Sequence, residues 1–126
     1  MSRYLIEPHI KSALSRGKRV EQFLGPRESD GLACVQYAVM SSRGAEIRID
    51  VYEVEDVGSE DFLDIYEFPS SDADGDPIVS IAADTLGAAL DQASRQVAAD
   101  PGRWVNAGVT QDEYQDYLRA RPSGAV

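Results

Sequence analysis

The strongest constraint on the fold is an acidic, strand-forming stretch from Glu46 to Asp76. It contains twelve Asp and Glu residues and one basic residue, Arg48, for a net charge of −11, whereas the whole chain carries −10. Apolar and charged residues alternate along it, and β-branched and aromatic types dominate. This pattern predicts a β-hairpin with strands at Glu46–Val57 and Phe62–Phe68. The rest of the chain must therefore fold around a highly charged sheet.

The acidity of the chain is local. Residues 1–44 carry seven basic and four acidic side chains (+3), and residues 77–126 carry four and six (−2). Solubility or adaptation to salt would spread the acid evenly, so neither explains the pattern. A pI near 4.4 argues against nucleic acid or an anionic membrane as a direct partner, because both require a basic footprint.

Length and hydropathy predict one cytoplasmic domain spanning residues 1–126. The 43% hydrophobic content is typical of globular chains, and no apolar run approaches the ~18 residues that span a bilayer. The first eight residues lack the apolar core of a secretion signal. The single cysteine, Cys34, excludes an internal disulfide, and its apolar surroundings predict a packed, unreactive thiol.

The first third of the chain predicts a helix and then a loop. Pro8 suits a first helical turn, and apolar residues recur at helical spacing, which favours a helix from Pro8 to Leu24. The alternative is that Gly17 ends this helix as its C-terminal cap. Residues 25–31 are typical of a loop because Gly, Pro and charged residues dominate them.

The centre of the chain predicts the sheet. Leu32–Ser42 is apolar on both faces, which favours a central strand, and Arg43-Gly44 allows a tight turn into Glu46–Val57. In the latter strand the apolar phase changes from odd to even positions at Val51-Tyr52. This change predicts either a β-bulge there or a strand covered on both faces. Ile78–Ala82 is the fourth predicted strand.

Two helices are predicted at the C-terminal end. Asp84 or Thr85 caps the first, whose apolar stripe at helical spacing packs on the sheet and consists of Leu86, Leu90, Ala93 and Val97. Thr110-Gln111-Asp112-Glu113 has the pattern of a capping box for the last helix. Trp104 is expected in the core, and residues 120–126 are expected to be a flexible tail.

Together these elements predict an α+β fold in a single domain. It has an N-terminal helix, a four-stranded, mainly antiparallel meander and two C-terminal helices, of which at least one packs on the sheet.

The residues typical of catalysis or metal binding form no convincing site. Asp72, Asp74 and Asp76 match the start of an EF-hand loop, but Pro77 replaces its glycine and Ala83 its bidentate glutamate. No metal or other cofactor is therefore predicted. His9 is the only histidine and has no evident catalytic partners, so the sequence does not predict an enzyme.

The candidate partner-binding site consists of seven residues of the predicted hairpin: Asp50, Tyr52, Glu53, Glu55, Asp64, Tyr66 and Glu67. Tyrosines among carboxylates provide rigid contact area with a polar tip, a common composition of recognition surfaces. Ordinary strand packing is the alternative for both tyrosines.

The charge pattern predicts a small protein that binds and inhibits a basic protein partner. A nuclease active site is a positive cleft built for phosphate, and a dense negative field is steered toward it. The leading hypothesis is an immunity protein against a nuclease toxin or a DNA-mimic inhibitor of a nucleic-acid-binding protein. The alternative is an acidic accessory or structural subunit that docks on a larger assembly, and an enzyme of unknown type ranks third.

Overall fold

A computed structural model describes residues 3–121 as an α+β domain built on one antiparallel sheet. The sheet has five strands in the order β4-β3-β2-β1-β5, namely β1 (Val20–Ser29), β2 (Leu32–Arg43), β3 (Glu46–Glu55), β4 (Val79–Ala83) and β5 (Val105–Asn106). The helices are α1 (Glu7–Ser15), α2 (Leu86–Val97) and α3 (Thr110–Ala120), with a 3₁₀ turn at Ile65–Glu67. The α+β class and the helix order are confirmed, whereas the strand count is five instead of four. No helix of residues 3–121 is long and apolar enough to cross a membrane.

The two faces of the sheet are covered by different elements. On the first, which we call the helix face, Ala38, Met40, Ile49 and Val51 form one core with α1, α2 and the fully buried Trp104. On the second, which we call the tyrosine face, Val35, Tyr37, Tyr52 and Val54 pack with Ile65, Phe68 and the buried ring of Tyr114. The prediction of β2 as a central strand covered on both sides is confirmed.

The odd-to-even phase change in β3 arises from this double covering. Pairing of β3 with β2 is continuous from Arg43↔Glu46 to Cys34↔Glu55, so the alternative of a bulge at Val51-Tyr52 is wrong. Ile49 and Val51 are buried on the helix face, whereas Tyr52 and Val54 belong to the tyrosine-face cluster.

The predicted helix over residues 8–24 is wrong beyond Ser15. Gly17 has φ +75°, a left-handed conformation that favours glycine, and the alternative that the first helix ends there is confirmed. Val20–Ser29 forms β1, which pairs with β2 and β5. The loop predicted over residues 25–31 is thus largely strand, with a register shift between Phe23 and Gly25.

The predicted return strand Phe62–Phe68 is also wrong. Ile65–Glu67 is a 3₁₀ turn, so this segment does not pair with β3 as a strand. The edge of β3 instead pairs with β4, from Ile47↔Ala83 to Val51↔Val79. The fourth predicted strand, Ile78–Ala82, therefore exists with a shift of one residue.

The C-terminal helices are confirmed, but only one has the predicted cap. The Thr85 hydroxyl accepts a hydrogen bond from the Ala88 N–H at 3.1 Å, and the predicted stripe of α2 packs on the helix face. The N-cap of α3 is Val109, with no side-chain cap, because the buried Thr110 hydroxyl donates to Glu21 Oε1 at 2.8 Å. The predicted capping box is therefore wrong. Of the predicted tail, Ala120 ends α3, and residues 122–126 lie outside the described residues.

Candidate functional site

The structure divides the seven predicted partner-binding residues among different surfaces. Alternation along β3 places Asp50 and Tyr52 on the tyrosine face but Glu53 and Glu55 on the helix face. Asp64, Tyr66 and Glu67 lie in the connection that follows β3, where Tyr66 packs edge-on against Tyr37 with centroids 5.7 Å apart. Asp50, Tyr52 and Tyr66 line one cleft, and the other four predicted residues lie outside it.

Several of these carboxylates already have partners within the chain. Asp50 accepts bonds from Arg48 Nε at 3.1 Å and from the Ser80 hydroxyl at 2.7 Å. Glu53 accepts a bond from Gln36 Nε2 at 2.9 Å, and Asp64 accepts one from Gln111 Nε2 at 3.3 Å. Among these partners only Arg48 carries a charge and neutralises a carboxylate. Glu53 and Asp64 are bonded to neutral amides and therefore keep their negative charge.

Most carboxylates of residues 46–76 have no ion pair among residues 3–121. Three of the twelve, namely Asp50, Asp56 and Glu60, are paired with arginines. Of the remaining nine, Glu46 begins β3, and the other eight lie at its far end or in the connection beyond it. We call these eight the acidic surface: Glu53, Glu55, Asp61, Asp64, Glu67, Asp72, Asp74 and Asp76. Each is partly or fully exposed.

Residues 69–71 hold part of the acidic surface against the sheet. The Glu55 N–H donates to the Pro69 carbonyl at 2.8 Å, and the Ser71 N–H donates to the Glu53 carbonyl at 2.9 Å. Because this segment lies along the edge of β3 beyond β4, it brings the loop of residues 72–76 next to Glu53. Glu53, Glu55 and the loop of residues 72–76 therefore lie together at this edge of the sheet.

Exposed apolar side chains lie in the same part of the chain. Val57, Phe62 and Ile78 are 47%, 41% and 43% exposed. The Phe62 ring packs edge-on against the buried Phe68, with centroids 5.0 Å apart, which fixes its position. Apolar groups among unpaired carboxylates give the composition of a protein-binding surface.

A second group of polar residues forms a cleft of about 460 Å³ on the half of the tyrosine face that α3 does not cover. Tyr37 and Tyr52 stack there with centroids 5.4 Å apart, and Lys18, Arg19 and Arg43 also line it. Burial raises the pKa of Tyr37 to about 12, so this phenol is neutral at physiological pH. The stacking confirms a packing role for Tyr52.

Glu21 lies in this cleft although it is only 4% exposed. Its Oε1 accepts bonds from the Tyr66 hydroxyl at 2.5 Å, the Thr110 hydroxyl at 2.8 Å and the Gly108 N–H at 3.3 Å. Burial is the larger cause that raises the pKa of Tyr66, and the hydrogen bond to Glu21 is the second. The helical spacing of residues 8–24 conceals Glu21 from prediction by sequence. In a strand, alternation places Glu21 on the same face as Tyr37 and as Val39, with which it pairs.

Two further buried carboxylates fasten α3 to the rest of the domain. Asp56 accepts bonds from the hydroxyls of Tyr114 and Tyr117 at 2.5 and 2.9 Å and pairs with Arg121 at 3.1 Å. Burial is the larger cause that raises the pKa of Tyr114, and the hydrogen bond to Asp56 is the second. Glu113 likewise pairs with Arg3 and Arg103. These interactions are structural, since both carboxylates are satisfied within the fold.

The carboxylates of Asp72, Asp74 and Asp76 place oxygen atoms within 4.8 Å of one another. The N–H groups of Asp74 and Asp76 both donate to Asp72 Oδ2 at 3.0 Å. Such bonds are the ordinary means by which an Asp organises a turn, and they explain the cluster without an ion. His9 is exposed in the first turns of α1, and Cys34 is buried, as the sequence predicted for the thiol.

Comparison of the chain with protein-family models, with curated proteins and with solved structures gives no significant match.

Proposed function

We propose that this chain binds and inhibits a basic protein partner through the acidic surface. Its closest functional model is an immunity protein that neutralises a nuclease toxin, or a DNA mimic that occupies a nucleic-acid-binding site. The observation that supports this most is the set of eight carboxylates without an ion pair among residues 3–121. Nearby, Arg119 and Arg121 are already paired with Glu60 and Asp56, so the charge of these eight is left for an outside partner.

The field of the acidic surface suits a positive cleft. At physiological ionic strength exposed charges are screened beyond ~8 Å, so a cluster of carboxylates acts mainly on a partner that already approaches that surface. Such a field raises association rates by about 10- to 1,000-fold toward a complementary charge. We therefore propose that the carboxylates of the acidic surface raise the rate of association with the partner.

The exposed apolar residues supply the contact that slows dissociation. Phe62 and Val57 lie between Glu55 and Asp64 in the chain, and Ile78 lies two residues after Asp76, the last residue of the acidic loop. A few well-packed side chains near the centre of an interface, often aromatic, carry most of its binding energy, whereas rim charges mainly set the association rate. The one cysteine, Cys34, is free and buried, which supports a role in the reducing cytoplasm.

The proposal predicts that a neighbouring gene encodes the basic protein partner. The test measures the association of that protein with two matched variants. Glu55→Lys/Glu67→Lys/Asp74→Lys changes the acidic surface. Glu7→Lys/Glu46→Lys/Asp84→Lys changes three exposed carboxylates elsewhere, so both variants undergo the same change in net charge. At low salt we expect the first variant to associate at least about tenfold more slowly than the second.

Equal slowing of both variants would show that net charge alone acts and would refute the assignment of a specific surface. Unchanged binding by the first variant would move the contact to another face and favour the accessory-subunit alternative. Phe62→Ala is expected to speed dissociation while leaving association nearly unchanged.

A further inference from the structure

The cleft on the tyrosine face has a charge opposite to that of the chain. Six of the twelve Lys and Arg side chains are in ion pairs, namely Arg3, Arg48, Arg95, Arg103, Arg119 and Arg121. Of the six without one among residues 3–121, three line this cleft: Lys18, Arg19 and Arg43.

These three cations come from separate elements. Lys18 and Arg19 follow the C-terminus of α1, whose partial negative charge favours cations there. Arg43, however, is the last residue of β2, so the helix dipole does not account for the group. Of the two carboxylates in the cleft, Asp50 is neutralised by Arg48. The local balance is therefore positive although the chain carries −10.

The carboxylate of Glu21 provides the cleft with a hydrogen-bond acceptor whose position is fixed. Every hydrogen bond to the Glu21 carboxylate from residues 3–121 reaches Oε1, and none reaches Oε2. Because no buried side-chain oxygen or nitrogen among the described residues lacks a partner, Oε2 must be accessible to solvent, and Glu21 lines this cleft. Three donors on Oε1 hold this carboxylate in place.

Aromatic rings lie beside this acceptor. Tyr52 is half-buried and stacks on Tyr37, and Tyr66 is 39% exposed. Stacking on tyrosine side chains is a common way for proteins to bind planar bases. The cleft volume of about 460 Å³ lies within the usual range for small-molecule sites.

We propose that this cleft binds a small anion that carries a planar ring and a hydrogen-bond donor, the chemistry of a mononucleotide. The anionic group lies against Lys18, Arg19 and Arg43, the ring lies against the tyrosines, and a ring N–H donates to Glu21 Oε2. A cationic ligand is disfavoured because it would meet three cations that have no ion pair among residues 3–121. A longer nucleic acid is disfavoured because its other phosphates would meet the net negative charge of the rest of the chain.

The experiment titrates the full chain calorimetrically with AMP and UMP, and separately with adenosine, ribose 5-phosphate and inorganic phosphate. Adenosine has the ring without the anion, and the two phosphates have the anion without the ring. We expect at least one mononucleotide to bind with a Kd below about 1 mM and at least about tenfold more tightly than any of these three probes. Weaker binding, or equal binding of a probe that lacks ring or anion, would overturn the proposal.

Variants locate the site. Arg19→Gln/Arg43→Gln removes two exposed cations of the cleft, and Lys11→Gln/Arg16→Gln removes two exposed, unpaired cations outside it. We expect the first pair to weaken mononucleotide binding by at least about tenfold and the second to leave it within about twofold. Equal effects of the two pairs would overturn the assignment to this cleft. Thermal melts establish that both variants fold.

Discussion

Gly58→Ala is expected to destabilise the fold strongly although Gly58 does not need the conformational freedom of glycine. A Cβ built there would lie 2.4 Å from Tyr114 Cε2 and 2.6 Å from both Phe68 Cζ and the Tyr114 hydroxyl. Both rings are buried, so the chain must shift to relieve the clash. Overpacking of a core costs about 1–3 kcal/mol. Losing the bond from the Gly58 N–H to the Tyr114 hydroxyl, 3.0 Å long, adds about 1 kcal/mol.

The expected total is thus about 2–4 kcal/mol, and the measurement is urea unfolding followed by circular dichroism. With an m-value of about 2 kcal/mol/M, in the middle of the range for small proteins, the midpoint should fall by roughly 1–2 M. Gly87→Ala is the matched control. Gly87 lies in α2 with open space around it, so alanine should stabilise the chain by about 0.5–1 kcal/mol. If Gly58→Ala unfolds at the parent midpoint, residues 58–68 do not pack on the tyrosine face as described.

Three further predictions concern stability. Thr110→Val removes the buried hydroxyl bonded to Glu21 and should cost about 2 kcal/mol in urea unfolding, whereas Thr110→Ser should recover most of it; equal stability of both variants would contradict the role of this bond. Burial raises the pKa of Tyr37 to about 12, from an ordinary value of about 10. The contribution of its neutral phenol to the free energy of unfolding should therefore be complete below pH ~10 and lost as the pH rises through about 12. Urea midpoints measured across that range should fall less for Tyr37→Phe than for the parent chain. Identical pH profiles of the two proteins would contradict the raised pKa of Tyr37. Calcium at about 1 mM should leave the melting temperature unchanged, because the loop of Asp72–Asp76 lacks a bidentate glutamate; a rise of several degrees that Asp74→Asn abolishes would contradict this.

The sequence predicted those elements whose local pattern and tertiary environment agree. In β2 both faces are apolar, and both are buried against cores. In α2 the stripe at helical spacing meets the helix face, and Thr85 caps the helix. For these segments the neighbouring residues alone carry the signal.

The segments that were predicted wrongly carry local signals that tertiary contacts override. Val20, Phe23 and Leu24 have helical spacing, yet they lie in a strand because β2 and β5 pair with it on both sides. Ile65 and Phe68 alternate poorly for a strand, but one 3₁₀ turn buries both against Tyr114. Their separation of three residues fits that turn.

The candidate cleft depends on distant parts of the chain and could not be read from neighbouring residues. Glu21 receives bonds from Tyr66 and Thr110, which lie 45 and 89 residues away. The acidic surface was predicted as a charge excess, because composition reports charge directly. Its division between two faces required the register of β3.

The most direct test of the proposed function is to map the contact of the partner on the chain. Amide chemical shifts of ¹⁵N-labelled protein are recorded while the basic protein encoded by the neighbouring gene is added. We predict that the largest changes occur at Glu53, Glu55, Phe62, Glu67 and residues 72–76, and that added salt reduces them. Changes confined to Lys18, Arg19 and Arg43, or to the outer surfaces of α1 and α2, would contradict recognition through the acidic surface.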